Sequence, residues 1–163
     1  MASRIEHRTR LDQSPSVVFS VLTAEDYLKA RLTALGGDNA ALLEYDDSGN
    51  YHIRHGVPAE KLPSAARSLL GGDLVVDRKE RWISGAEQYA NTIEASIPGM
   101  PGEIHARMRL RGHASGSELD TEGEVKVGIP IVGAKLERTV AEQVTRLLIA
   151  ELEFTEKWLN SAS

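Results

Sequence analysis

The hydrophobic period of this chain changes within residues 128–140, GIPIVGAKLERTV, and that change limits the available folds more than any other feature. Before it, apolar positions alternate with polar ones. Ile104, Ala106, Met108 and Leu110 mark one run, and Leu119, Thr121, Val125, Val127 and Ile129 the next. From Ile131 onward they recur about every 3.6 residues, at Val132, Leu136, Val140, Val144, Leu147, Leu148, Leu152 and Leu159. Strands with one buried face thus give way to a helix of roughly 28 residues, about 40 Å long. Such a helix cannot bury its stripe alone, and the concave face of a curved sheet is the surface that fits it. Pro130 ends the ladder and suits a helix's first turn, while Gly128 and Gly133 permit a corner where a bulky residue would clash.

Upstream, residues 4–11 alternate, with Ile5, His7, Thr9 and Leu11 on one face of a half-buried strand. Ser14-Pro15 starts a short helix, and Thr23 followed by Ala24-Glu25-Asp26 starts a second that ends at Gly36-Gly37. Strands follow at 40–46 and 51–57. A turn at Asp47-Ser48-Gly49 sets Tyr45 opposite Tyr51 and Leu43 opposite Ile53. Residues 58–72 form an irregular crossing with a helical turn or two. Two long strands then flank Gly85-Ala86, with Trp82 opposite Tyr89 and with Asn91, Ile93, Ala95 and Ile97 on the same face. A turn at Gly116-Ser117 in the last hairpin sets His113 opposite Asp120, Arg111 opposite Glu122 and Arg109 opposite Glu124. A basic row faces an acidic one, which describes a solvated sheet face rather than a nucleic-acid surface.

This order of elements (strand, two short helices, six strands, long C-terminal helix) covers nearly the whole chain. It resembles the helix-grip fold of the START-like and Bet v 1-like (SRPBCC) superfamily. IPIVGAKLE at 129–137, running into the long helix, resembles a family of uncharacterised actinobacterial proteins of that fold. The fold class implied is α+β, one domain over 1–163. A curved antiparallel sheet of about seven strands wraps around a long C-terminal helix, with two short helices after the first strand. The resemblance further implies a deep cavity between sheet and helix, of the kind that holds lipids, sterols, polyketides or other apolar molecules. Some members of the superfamily are cyclases, aromatases or hydrolases, so the fold does not settle activity.

Composition narrows the functional classes. The chain has no cysteine, hence no disulfide, thiol nucleophile or thiolate metal site. Its net charge of −5, from 19 Lys+Arg against 24 Asp+Glu, argues against a nucleic-acid partner. MASRIEHRTRLD lacks the apolar core of a signal peptide, and no apolar run approaches the roughly 20 residues that span a bilayer. A cytoplasmic protein without stable membrane insertion is expected. G-x-S-x-G, H-E-x-x-H, Walker-type GK[ST] and G-x-G-x-x-G motifs are all absent, and neither a catalytic residue nor a cofactor is assigned.

The polar residues on inward faces are therefore the candidates for a ligand site. Alternation turns His105, His113 and His52 outward, and leaves His7 and His55 on apolar faces. Two inward histidines without a third ligand at a metal-binding spacing do not make a metal site. Arg78 and Glu80 share the inward row Leu74, Val76, Arg78, Glu80, Trp82. Such charges are tolerated in a closed core when paired, and at a cavity mouth when their ends stay wet; both placements fit the pattern. Asn91, opposite Glu80 in this register, and Thr121 complete a polar patch. The candidate cavity set is Arg78, Glu80, Trp82, Tyr89, Asn91, His7, His55 and Thr121. Three functions compete: a carrier or sensor of an apolar small molecule, an enzyme with Glu80, Arg78 or His55 in acid/base roles, and an interaction module with a collapsed cavity.

Overall fold

The computed structural model describes residues 2–37, 40–62, 64, 67–68, 71–86 and 88–161. In chain order the elements are β1 (Ser3–Leu11), α1 (Pro15–Leu22), α2 (Glu25–Leu35), β2 (Ala41–Tyr45), β3 (Asn50–Val57), a 3-10 turn (Ala59–Lys61), β4 (Leu74–Ser84), β5 (Gln88–Ser96), β6 (Gly102–His113), β7 (Gly116–Val127) and α3 (Gly133–Ser161). Within the expected crossing over 58–72, residues 63, 65–66 and 69–70 lie outside the described set. The seven strands make one sheet in the order β1-β7-β6-β5-β4-β3-β2, every neighbouring pair antiparallel. Helix α3 lies across β1 and β7 and against α2, as the helix-grip arrangement requires. No helix among the described residues is long and apolar enough to cross a membrane.

Strand alternation sorts the chain into an inner and an outer face. Ile53, Leu110, Leu119 and Val125 are fully buried on the inner face, and Leu136, Val140, Leu148 and Leu152 of α3 close over it. Tyr27 of α2 donates its hydroxyl to Thr155 of α3, and the Thr155 hydroxyl donates to the Glu151 carbonyl at 2.7 Å. This chain of hydrogen bonds fixes α2 against the long helix.

Three expected registers shift, and each shift has a local cause. The β4–β5 hairpin turns one residue later, with Gly85 N–H bonded to the Gln88 carbonyl, so Ser84 faces Tyr89 and Trp82 faces Asn91 rather than Tyr89. Glu80 accordingly lies opposite Ile93, with Asn91 on the diagonal. The β6–β7 hairpin turns at Ala114-Ser115, with Ala114 at φ 52, and not at Gly116-Ser117. His113 thus faces Gly116, Arg111 faces Glu118 and Arg109 faces Asp120. A Cβ on Gly116 would collide with the Leu11 carbonyl, so this glycine serves the close approach of β1 rather than the turn. In β2–β3, a bulge between Leu42 and Glu44 places Leu42, not Leu43, opposite Ile53 and leaves Leu43 exposed. The shifts in the two long hairpins are even, so every inward residue stays inward. Charge complementarity of the outer face also survives with new partners: Arg8 reaches Asp120 at 2.7 Å and Arg111 reaches Glu118 at 2.8 Å.

The strand-to-helix corner differs in detail from the expected one. Pro130 sits in a turn before the helix rather than in its first turn, and the Val132 N–H bonds back to its carbonyl at 2.8 Å. That tight turn holds Ile131 at φ 71, and its side chain is fully exposed. A Cβ on Gly133 would stand 2.8 Å from the Val127 carbonyl, whereas one on Gly128 would meet only Pro101, at 3.7 Å. Gly133 alone is sterically required. Glu137, in the first turns of α3, is buried and accepts the Val127 N–H at 2.8 Å, capping the end of β7. In the second short helix, Ala24 is the cap; Thr23 instead closes α1 by donating its hydroxyl to the Phe19 carbonyl.

Candidate functional site

A cavity of about 330 Å³ lies between the inner face of the sheet and α3. Its walls are largely aliphatic, with Ile5, Ile93, Ile104 and Val76 from the sheet and Val140, Val144 and Leu147 from the helix. Small residues create the space. One cross-strand row reads Ile5, Gly123, Ala106, Ile93, Glu80, and Ala95 lines the neighbouring row. A Cβ on Gly123 would collide with the His105 carbonyl and stand 2.7 Å from the Ala106 Cβ, so this glycine serves the close approach of β6 and β7. Exposed Lys61 and Arg146 also line the cavity and mark where it meets solvent.

Three buried polar residues stand on the cavity wall: Arg78, His55 and Thr121. Arg78 belongs to a buried layer of four charges. Its guanidinium donates to both Glu151 oxygens at 3.0–3.2 Å, and its Nε lies 2.7 Å from Glu80 Oε2. The latter is an ion contact whose angle falls short of a hydrogen bond, since neither atom has a hydrogen-bonding partner. Arg31 of α2 completes the layer, 3.5 Å from Glu151 and 3.9 Å from Glu80, with its guanidinium carbon 5.5 Å from the centre of the Tyr27 ring. Two cations and two anions balance, and all four are buried.

Hydrogen bonds from neutral groups hold the layer in place. Glu80 Oε1 accepts from the Tyr51 hydroxyl at 2.8 Å and from Asn91 Nδ2 at 2.6 Å, while Trp82 Nε1 donates to the Tyr51 oxygen at 3.3 Å. Burial pushes the Glu151 carboxyl up, and the charges of Arg31 and Arg78 more than reverse this, bringing it down to about 2. Burial would lower the Arg78 guanidinium, but Glu151 and Glu80 hold it above its ordinary value. Burial, reinforced by Glu80, raises the Tyr51 phenol well above its usual range. Burial and then the charge of Arg78 bring the His55 imidazole down to about 4, so it is neutral at pH 7. A void of about 20 Å³ remains between Arg31, Glu80 and Thr155, room for one water among groups able to bind it.

The eight residues anticipated for the cavity thus separate into three groups. Arg78, His55 and Thr121 line it. Glu80, Trp82 and Asn91 form the polar layer beside it. His7 and Tyr89 stand elsewhere: His7 is half-buried and bonded to Thr9 at 2.9 Å, and the Tyr89 ring stacks on Phe19 with centroids 4.3 Å apart. Of the two placements open for Arg78 and Glu80, the interior is the one found. Arg31, Tyr51 and Glu151 belong to the site as well, and residue alternation did not single them out. Arg31 and Glu151 do carry a signal. Each occupies a core-facing stripe, Tyr27-Leu28-Arg31-Leu32 and Leu148-Glu151-Leu152-Thr155, as a charge where an apolar residue is expected. Among the described residues, no group of three or more His, Cys, Asp or Glu side chains is placed to hold a metal ion.

This architecture recurs in solved structures. TTHA0849 from Thermus thermophilus is 13% identical and superposes with a TM-score of 0.68, covering 99% of each chain. A Thalictrum norcoclaurine synthase point mutant, solved in complex with a transition state analogue, is 12% identical with a TM-score of 0.64 over 99% of this chain and 96% of its own. Ara h 8.0201 is 12% identical with a TM-score of 0.60 over 99% of each chain. At such identities these likenesses show the fold, a START-like and Bet v 1-like one. In sequence, the uncharacterized protein Rv0481c of Mycobacterium tuberculosis is 31% identical over 147 residues, 83% of this chain and 84% of its own. Residues 6–159 match the family described as Protein of unknown function (DUF2505), and the chain belongs to that family.

Proposed function

We propose that this protein binds an apolar small molecule in the cavity between the sheet and α3, as a carrier or sensor. The observation that carries this reading is the aliphatic cavity of about 330 Å³, with the small side chains of Ala95 and Ala106 on its wall. That volume is at the lower end of the range of small-molecule sites, roughly 300–1,000 Å³, and its lining has the expected character, mostly apolar with a few placed polar groups. The open volume favours ligand binding over a collapsed interaction module. Catalysis by Arg78 or Glu80 is disfavoured by their partners: one oxygen of Glu80 accepts two hydrogen bonds, the other lies against the Arg78 Nε, and the carboxylate does not line the cavity.

Native mass spectrometry of the protein purified from an actinobacterial host tests this, with Ala106→Phe as the control. The wild type is expected to carry a small-molecule adduct, and Ala106→Phe, which fills the cavity, to lose it while remaining folded. An adduct-free wild type at high sensitivity, or an adduct indifferent to Ala106→Phe, would contradict the proposal.

A further inference from the structure

His55 and Thr121 each keep a polar atom that the fold leaves unused. His55 is 5% exposed and Thr121 3%, and each carries a buried polar atom with no hydrogen-bonding partner, Nδ1 of the imidazole and the Thr121 hydroxyl. Unpartnered buried polar groups are uncommon in folded proteins, and each costs the free energy of its lost hydration. Both residues line the cavity.

The chemistry of His55 is set by its neighbour. Arg78 NH1 stands 3.4 Å from His55 Nε2, and a guanidinium has only N–H groups to offer. Nε2 must therefore be the accepting nitrogen, and the proton of the neutral ring resides on Nδ1. The residues lining the cavity thus include an N–H donor on β3 and a hydroxyl on β7 that the protein itself does not use. In the sheet these strands are separated by β4, β5 and β6, at about 4.8 Å per strand, so the two groups stand on different walls. A charged ligand group beside them would be uncompensated, because the two arginines and two glutamates of the adjoining layer already neutralise one another.

From this we infer that the ligand is a neutral, mostly apolar molecule bearing oxygen acceptors (carbonyl, ester or hydroxyl) at two separated points, one received by His55 and one by Thr121. The inference rests on the reading of the cavity as a ligand site and specifies its polar chemistry. Carboxylates and amines are poor occupants of the same two positions.

Binding of undecane, methyl nonyl ketone, the corresponding terminal diketone and undecanoic acid at pH 7 provides the test. Wild type is compared with His55→Phe and with Thr121→Val, which keeps the shape of the side chain and removes only its hydroxyl. Affinity is expected to rise about three- to tenfold with each carbonyl, the gain of one hydrogen bond. Each variant should remove one of the two steps, read as the ratio of ketone to undecane affinity within the same protein. Undecanoic acid held at the mouth by Lys61 and Arg146 should be insensitive to both variants. If undecane binds but the ketones gain nothing, or if the diketone keeps its full gain in both variants, the two-acceptor inference is overturned and the cavity reading stands. The same holds if the acid is the ligand weakened by His55→Phe. If none of the four binds, the cavity reading itself fails and the inference falls with it.

Discussion

Lowering the pH from 7.5 to 5 should destabilise this protein chiefly through His55. In the folded chain burial and Arg78 bring the imidazole down to about 4, against 6.5 for the free side chain. Arg31 reinforces Arg78, while Glu151 and Glu80 oppose it without prevailing. Between those two values the unfolded chain takes up a proton that the folded chain refuses, so acidification favours unfolding. The contribution is fully present above 6.5 and is lost as pH falls towards about 4. At about 1.4 kcal/mol for each pH unit, the gap corresponds to about 3 kcal/mol in total, of which about 2 kcal/mol is gone at pH 5. Glu151 does not interfere, because a carboxyl lowered from 4.5 to about 2 loses its contribution only below pH 4.5. Urea unfolding of wild type and His55→Phe at pH 7.5 and 5 measures the effect. Wild type should lose about 2 kcal/mol more than the variant over this interval. Parallel losses in the two proteins would mean that His55 titrates normally, and would refute the account of its burial beside Arg78.

Other consequences follow from the same contacts. Glu151→Gln leaves two arginines facing one carboxylate and should cost about 3–5 kcal/mol in chemical denaturation; a loss under about 1 kcal/mol would show that the charged layer is hydrated. Gly133→Val drives a side chain into the Val127 carbonyl, 2.8 Å from the position of its Cβ, and should cost about 1–3 kcal/mol, a fall of several degrees in melting temperature. A melting temperature within about a degree of wild type would mean that the corner yields at no cost. Arg109→Ala removes an exposed side chain whose cross-strand neighbour Asp120 is already bonded to Arg8 and Arg111, and should change stability by no more than about 0.5 kcal/mol. A larger loss would place Arg109 within the outer-face network.

The fold was legible in the sequence because it follows from periodicity. The switch from a period of two to 3.6 marked the start of α3 to within two residues, and alternation assigned the inward faces of the two long hairpins correctly even where their register was wrong. Registers were less legible because glycine has more than one use. Gly116 reads as a turn residue, yet it is needed where β1 approaches, and Ala114 takes the positive φ instead. The candidate site was half legible. Arg78, Glu80, Asn91 and Trp82 share neighbouring strands, so alternation brought them together. Arg31 and Glu151 lie on two helices separated by most of the chain, and nothing local links them. Their partnership also alters the expectation for Arg78 and Glu80. Apolar replacement of an isolated buried pair is often neutral or stabilising, but here Tyr51 and Asn91 would lose their common acceptor, and the double replacement should destabilise the protein.

The central claim is that the space between sheet and helix holds a ligand. A crystal structure of the protein purified gently from an actinobacterial host tests it most directly. The account predicts continuous electron density unexplained by protein, running along Ala106 and Ala95 with an oxygen within hydrogen-bonding distance of His55 Nδ1 or the Thr121 hydroxyl. A cavity closed by inward movement of Leu147 and Leu148, with His55 and Thr121 bonded to protein groups instead, would contradict it.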